Sequence, residues 1–465
     1  MTNRSRLQSI AAALLLALLA AALPSASAAV PPVIDAAAPG ARFVGLLVKE
    51  DYAAAIAQCD ATMKSALPET KLRDTWQAVI KQVGPFQKQL RTRTSDLAGM
   101  KIILVTCQFE KAALDVKVVL DASGQVTGLF FSPTSPDAGT FKIPTYAKPT
   151  TYHEMDATVG GGEWTLPGTL TMPTGAKSPV PAVVLVHGSG PGDRDETVGG
   201  NKPFRDLAWG LATRGIAVLR YEKRTRQYSA KLAAAAAVPG DLGQFTVKEE
   251  TIDDALAAIQ VLRKQEGIDP QRVFVLGHSL GAMLAPRIGQ GDAGLAGLIL
   301  LAGATRPLED VMVEQTRYLA ALSGPLNKDD QARIDAFLAE AAKVKKLTPA
   351  DVKSSALILN APPSYWLDLR GHDPVAIAQT LKLPLLILQG ARDYQVTTAD
   401  FDGWKNALAA QANVTCRLYP NLNHLFVAGQ GKSVPAEYDQ AGNVDEQVVA
   451  DIAQWILPSK PAKVP

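Results

Sequence analysis

The sequence predicts an α/β protein in which a large parallel-sheet domain follows a small α+β unit, and three observations carry the prediction. From about residue 151 onward, short apolar strands alternate with helical patterns, which builds a parallel sheet with crossover helices. Within that region the run Val273-Phe274-Val275-Leu276-Gly277-His278-Ser279-Leu280-Gly281 takes a β-branched strand into a G-x-S-x-G pentapeptide, and a helical pattern starts at Gly281. Ahead of it, two helical stretches lead into four strand-like runs, the last two joined by a turn. With 465 residues, 47% of them hydrophobic, the chain is long enough to bury both cores. Its formal net charge of +2, with no basic run, leaves no electrostatic footprint for nucleic acid.

The chain opens with the pattern of an export signal. Arg4 and Arg6 precede an apolar stretch from Ile10 to Leu23, and Pro24-Ser25-Ala26-Ser27-Ala28-Ala29 supplies the small residues of an A-x-A site. A membrane-spanning anchor would need about 20 apolar residues and would not need that site. Residues 1–28 are therefore expected to be removed after Ala28, giving a periplasmic or secreted protein with no stable membrane anchor. No cysteine follows the site, so lipid attachment is not indicated.

Residues 36–132 read as the small unit, with helices over 51–66 and 69–82 and strands over 87–93, 101–110, 113–120 and 126–131. Asp121-Ala122-Ser123-Gly124 turns the last two strands into a hairpin. Helices followed by a meander resemble the cone-shaped fold of nuclear-transport-factor-type domains. The unit holds no catalytic grouping and is expected to dock or to dimerise, offering a route to oligomers. Pro133, Pro136, Pro144 and Pro149 then mark a stiff linker over 133–150. The three cysteines lack zinc-ligand spacing, and neither a metal nor a cofactor is expected. Cys59, on a predicted helix, and Cys107, on a predicted strand, invite a disulfide in an oxidising compartment, the alternative being two buried thiols. Cys416 falls on what reads as a central strand and is expected to be a buried, inert thiol.

The catalytic domain is expected over 151–460, opening with antiparallel lead-in strands at 151–159 and 163–172. In a nucleophile elbow the turn is so sharp that the positions two before and two after the serine must be small, and Gly277 and Gly281 fill both. A serine hydroxyl needs a base, and the base needs an orienting group. After such an elbow these follow in the order acid, then histidine. Asp393 comes directly after the buried-strand run Leu383 to Gly390, and His424 comes just after the strand run Val414 to Tyr419. Both lie past the carboxyl end of a strand, where open α/β sheets place their working groups. The strand ending at Leu301-Ala302-Gly303-Ala304-Thr305 is followed by no carboxylate, so the other usual slot for the acid is empty. Of the five histidines, His153 reads as a surface residue, His187 and His278 as braces of glycine turns, and His372 as part of a turn with a minor claim on substrate.

The strand Pro181 to Val186 ends in His187-Gly188-Ser189-Gly190-Pro191-Gly192, glycines that let backbone N–H groups approach a developing negative charge. The expected oxyanion donors are the amides of Leu280 and Ser189, with Gly190 as the near alternative to Ser189. A phosphate-cradling role fails, because no P-loop lysine pattern follows and no acidic residue closes a nearby strand.

HGSGPGDRDET with the following NKPFRDLAWGLATRGIAVLRYEKRT, GHSLG, GARDYQV and NLNHLF together resemble the bacterial α/β-hydrolase esterases related to dienelactone hydrolases and serine aminopeptidase-type hydrolases. The resemblance runs from about Thr151 to the end, and one branch of that family also carries an amino-terminal domain of this kind. It implies an α/β-hydrolase fold and hydrolysis of a small carboxylic ester through an acyl-enzyme. Dienelactone hydrolases proper carry cysteine at the nucleophile, and dehalogenases and epoxide hydrolases carry aspartate, so Ser279 argues against those activities. About 80 residues separate the strand ending at Ala302 from the one starting at Leu383, and this insertion, about 304–382, falls where such folds place a lid. Helices are expected over 306–322 and 328–344, and Tyr365 and Trp366 are candidate pocket walls, or aromatics packing the lid to the sheet. The same machinery serves peptidases and thioesterases. An aminopeptidase would need an acid for the substrate amino group, for which Asp368, Asp373 and Glu222 are candidates. A binding protein that keeps the fold without the chemistry is the alternative of another class.

Overall fold

A computed structural model describes residues 39–97, 100–121, 123–133, 141–236, 242, 245–322, 324–354 and 356–457. The expected export signal and its site at Ala28 lie outside the described residues. The chain divides into two compact units, one ending at Ala138 and the other running on from Gly139.

The first unit is a four-stranded antiparallel meander, β1 (Phe86–Leu97), β2 (Met100–Phe109), β3 (Ala113–Leu120) and β4 (Val126–Pro133), in sequential order. A helix over Pro39–Val48, not anticipated from the sequence, buries Phe43, Val44 and Leu47 on one face. The helix expected over 51–66 is two helices, Tyr52–Ala57 and Ala61–Ala66. Two caps in succession cause the break. Asp51 accepts from the Ala54 amide at 3.1 Å, and Asp60 starts a new helix by accepting from the Met63 amide at 2.6 Å. The helix Glu69–Val83 seats Trp76 against Phe109 and Phe131, with ring centroids 5.8 and 5.9 Å away.

This register overturns the expected Cys59–Cys107 bridge. Cys59 pairs with Val126, which lies opposite Leu120, and Leu120 lies opposite Lys101 at the start of β2. Cys107 sits at the other end of β2, about 20 Å along the strand at ~3.4 Å per residue, whereas a disulfide needs Cα atoms within about 7 Å. Both are buried free thiols, and burial pushes the Cys107 thiol up to about 12.

The second unit holds an eight-stranded sheet. Its strands are β5 (Tyr152–Val159), β6 (Leu166–Pro173), β7 (Val180–Val186), β8 (Ala217–Tyr221), β9 (Ile268–His278), β10 (Gly297–Leu301), β11 (Leu385–Gly390) and β12 (Val414–Tyr419). The spatial order is β12-β11-β10-β9-β7-β8-β6-β5. The strands from β8 through β12 pair in parallel, while β6 runs antiparallel to β8 and β5 to β6. This is the α/β-hydrolase fold. Alternate residues of each strand feed two cores, Val184, Val275 and Leu300 on one face and Val183, Phe274 and Ile299 on the other. From β7 the chain moves outward to β8, then returns to β9 on the other side of β7. That reversal opens a crevice at the carboxyl ends of β7 and β9.

Within the expected linker, Tyr146 is buried and donates its hydroxyl to the Val444 carbonyl at 2.7 Å. One expectation from the sequence needs correction. Cys416 lies on the edge strand β12, not on a central one, and is only half-buried. The insertion contains the helices Leu308–Leu322, Lys328–Val344, Pro363–Arg370 and Pro374–Thr380, but Tyr365 and Trp366 serve packing. Trp366 is 1% exposed with its indole N–H on the Ile358 carbonyl at 2.7 Å, and the buried Tyr365 hydroxyl donates to Glu250 at 2.7 Å.

Candidate active site

Ser279 stands between β9 and the helix Leu280–Gly291 at φ 54° and ψ −115°, a strained backbone for a residue with a side chain. Its neighbours make the strain tolerable. A Cβ on Gly277 would lie 2.2 Å from the Gly281 carbonyl oxygen, and one on Gly281 would lie 2.3 Å from that of Val186. The Ser279 amide donates to Leu301 of β10 at 2.8 Å, fixing the turn to the sheet. Leu280, first residue of the helix, has an N–H that the helix cannot satisfy. Glu196, Ala302 and Phe426, in loops around this turn, also hold positive φ.

Asp393 and His424 come together from the ends of β11 and β12. His424 Nδ1 lies 2.6 Å from Asp393 Oδ2, and both side chains are buried. The loop after β11 fixes the carboxylate: the amides of Gln395 and Val396 donate to Oδ1 at 2.7 and 3.0 Å, and Gln389 Nε2 donates to Oδ2 at 3.2 Å. Since Nδ1–H donates to Asp393, Nε2 is left as the basic nitrogen. The loop carrying His424 is tied to the elbow, because His278, next to Ser279, donates its Nε2–H to the His424 carbonyl at 2.9 Å. The two imidazole rings sit 4.7 Å apart, centroid to centroid.

The glycine loop after β7 lies against the elbow serine, where a Cβ on Gly188 would come within 3.0 Å of Ser279 Cβ. His187 does brace it, through a 2.9 Å bond to the Asp193 carbonyl. Ser189 is exposed, and its amide has no acceptor among the described residues. Gly190 takes the turn at φ 86°.

Sequence reasoning missed the charges beneath this loop. Glu196 accepts the Gly188 amide at 2.7 Å through Oε1, and its Oε2 lies 2.8 Å from His278 Nδ1. Burial alone would lower the His278 pKa, but the Glu196 carboxylate overrides burial and raises it. Burial would raise Glu196, and the His278 charge lowers it instead. The two form a buried ion pair. Lys223, 2% exposed, donates its Nζ to the Gly188 carbonyl at 2.8 Å and pairs with Glu250 at 3.2 Å. Its position just past the end of β8 was the available signal, since that is the edge where functional groups gather. Nothing local marks Glu196 or Glu250 as special.

The remaining candidates are engaged elsewhere. His372 is a buried brace, its Nε2–H donating to the Met283 carbonyl at 2.8 Å. Glu222 pairs with Arg194 and Arg226, Asp368 pairs with Arg287, and Asp373 caps the helix Pro374–Thr380. Tyr394, next to Asp393, stacks on Tyr318 of the insertion, 5.2 Å apart at 8°. Among the described residues no His, Cys, Asp and Glu group could hold a metal ion, and no helix is long and apolar enough to cross a membrane.

An elbow serine, a buried Asp–His pair and a glycine loop at the sheet's switch point define a serine hydrolase of the α/β-hydrolase fold. Residues 177–430 match the family described as serine aminopeptidase, S33, and residues 41–129 match a family of proteins of unknown function, DUF3887. The chain is 38% identical over 415 residues to Esterase EstD of Thermotoga maritima, covering 89% of this chain and 94% of that one. It belongs to the serine aminopeptidase S33 family, as a hydrolase of the carboxylesterase type. Similar solved structures include a dienelactone hydrolase from Klebsiella pneumoniae, 18% identical with a TM-score of 0.38, covering 66% of this chain and 99% of that one. Another is Est1E from Butyrivibrio proteoclasticus, 14% identical with a TM-score of 0.41, covering 65% and 97%.

Proposed function

We propose that the protein is an exported serine carboxylesterase that works through an acyl-enzyme on Ser279. The observation that carries this reading is the strained elbow serine joined, through the His278 bond to the His424 carbonyl, to a buried Asp393–His424 pair. His424 Nε2 takes the Ser279 proton as Oγ bonds to the ester carbonyl carbon, and the carbonyl oxygen becomes an oxyanion held by the amides of Leu280 and Ser189. Collapse breaks the bond to the alkoxy group, which leaves with the proton from His424. Water then repeats the sequence, releasing the acid and restoring Ser279. Asp393 holds the ring in the tautomer that keeps Nε2 basic and supports the imidazolium when it forms.

Two features favour esters over aminopeptidase substrates. The similarity to a protein named as an esterase spans nearly the whole of both chains. Each carboxylate considered for a substrate ammonium is already held by an arginine or a helix amide. A binding protein would have no use for the backbone strain at Ser279. A fluorophosphonate should label the protein at Ser279, and p-nitrophenyl esters should turn over far faster than aminoacyl-nitroanilides. Faster cleavage of the anilides would replace the esterase reading with the peptidase one, and no labelling would favour the binding protein. Export rests on the leader pattern in residues 1–28. The mass of the protein recovered from the periplasm or medium should correspond to a chain starting at Ala29, and a full-length chain in the cytosol would refute export.

A further inference from the structure

The Gly188 residue is held at both ends by buried ions that the hydrolytic cycle itself does not use. Its N–H goes to Glu196 Oε1 at 2.7 Å and its carbonyl receives Lys223 Nζ at 2.8 Å. Among the described residues no peptide bond is cis, and in a trans peptide the carbonyl and the next N–H point in opposite directions. With the Gly188 carbonyl drawn toward Lys223, the Ser189 N–H is turned away from it. A second bond fixes the loop to the same residue, the Lys223 amide donating to the Gly192 carbonyl at 3.1 Å.

Lys223 is itself held in place. Glu250 Oε1 lies 3.2 Å from its Nζ, and Glu250 Oε2 accepts the Tyr365 hydroxyl from the insertion at 2.7 Å. Glu250 sits in a wide π turn, Lys248–Ile252, that leads into the helix Asp253–Lys264. Such turns add a residue to a helix and redirect its side chains, and they concentrate at functional sites. An isolated lysine would be expelled from so dry a place, since a buried charge without partners is strongly disfavoured. Burying Lys223 between a carboxylate and a single carbonyl makes sense if the direction of that carbonyl matters.

We propose that Lys223 is a positioning residue for the reaction: with Glu196 it locks the Gly188 peptide groups so that the Ser189 N–H is aimed at the oxyanion before substrate arrives. The Tyr365–Glu250–Lys223 chain then links the insertion to the oxyanion loop. This deepens the esterase reading and rests on it. A preorganised donor acts on the transition state and not on the ground state, so its loss lowers kcat and leaves KM nearly unchanged.

The test compares wild type with Lys223→Met and Lys223→Arg in p-nitrophenyl ester hydrolysis and in inhibition by an arylboronic acid, whose tetrahedral adduct places an oxygen in the oxyanion site. Losing one oxyanion donor typically costs about 10²–10³ in kcat. Lys223→Met should therefore lower kcat by at least about 10-fold, with KM within about 3-fold, and weaken boronate inhibition by a factor similar to the fall in kcat/KM. Lys223→Arg keeps a cation but misplaces the donor, and should lower kcat by more than about 3-fold but by less than Lys223→Met does. If either folded variant retains kcat and boronate affinity within about 3-fold of wild type, the proposal is overturned. It is overturned equally if neither variant folds, since Lys223 is then a structural residue. Absence of ester turnover in wild type would instead sink the esterase reading itself.

Discussion

The elbow at Ser279 and the loop from His187 to Gly192 face each other across one crevice, yet different forces hold them. At the elbow the restraint is steric and local. Gly277 and Gly281 let backbone strands cross where any Cβ would lie 2.2–2.3 Å from a carbonyl oxygen, and the strand and helix on either side enforce the positive φ between them. At the facing loop the restraint is electrostatic and remote. Gly188 is fixed by Glu196, eight residues on, and by Lys223, thirty-five residues on, each of them buried in an ion pair. A turn made by sterics survives changes in charge but not in size. A turn made by buried charges has the opposite vulnerability. Removing one partner of a buried pair costs about 3–5 kcal/mol because the other charge is left without compensation.

The largest effect that would test this contrast is chemical. Ser279→Ala should reduce kcat by roughly 10⁴-fold or more, because nucleophile and base act as a unit. Its circular dichroism and melting should match wild type, since the elbow backbone does not depend on the hydroxyl. Retention of even a tenth of the ester turnover would mean that the nucleophile lies elsewhere.

Next in size, Gly281→Ala should destabilise the protein by roughly 2–4 kcal/mol, because the new Cβ meets the backbone of Val186 and His187 and not a movable side chain. Gly161, whose Cβ would meet nothing within 4 Å, supplies the control and should tolerate alanine to within about 0.5 kcal/mol. Equal chemical-denaturation midpoints for the two variants would show that close approach is not what fixes the elbow.

An effect of the same order at the top of its pH window tests a buried carboxylate held by hydrogen bonds alone. Burial pushes Asp206 up to about 7, against the opposing bonds from the Val444 amide at 2.9 Å and the Asn443 side chain at 3.1 Å. A carboxyl whose folded pKa is raised binds its proton more tightly when folded. Its contribution is therefore present at low pH and is lost as pH rises from the unfolded value of about 4 toward about 7. Asp206→Asn should gain stability relative to wild type across that window, by up to roughly 1.4 kcal/mol per pH unit. Urea titrations at both ends of the window measure it, and a constant difference between the two proteins would contradict the assignment.

The smallest expected effect concerns the other unit. Thiol counting on the denatured, unreduced protein should find all three cysteines free, and reductant should leave the melting temperature unchanged. A count of one free thiol would mean that the meander register placing Cys59 and Cys107 at opposite ends is wrong.

Much of the site was legible in the chain. The G-x-S-x-G turn names its own geometry because the clash that demands each glycine is between atoms a few residues apart. Asp393 and His424 were legible because strand ends in a parallel sheet all point to one edge, so order along the chain becomes proximity in space. Reading stopped where function depends on what a side chain meets across the fold. Tyr365 and Trp366 look like pocket aromatics by composition, and only the packing shows them bound to Glu250 and Ile358. Cys59 and Cys107 look available for a bridge until the strand register separates them. The break between Tyr52–Ala57 and Ala61–Ala66 was written locally, in Asp60, but the apolar spacing that runs through it masks the cap.

By itself, the sequence determined the α/β architecture, the elbow and the order of the Ser279, Asp393 and His424 positions, because hydrophobic periodicity and turn sterics act over a few residues. Only the tertiary structure decided that Glu196 and Lys223 hold the loop from His187 to Gly192, that Glu250 pairs with Lys223, and that Tyr365 reaches Glu250 from the insertion. Whether a charge is solvated on a surface or locked inside depends on what the folded chain packs around it, and no local pattern of residues encodes that burial.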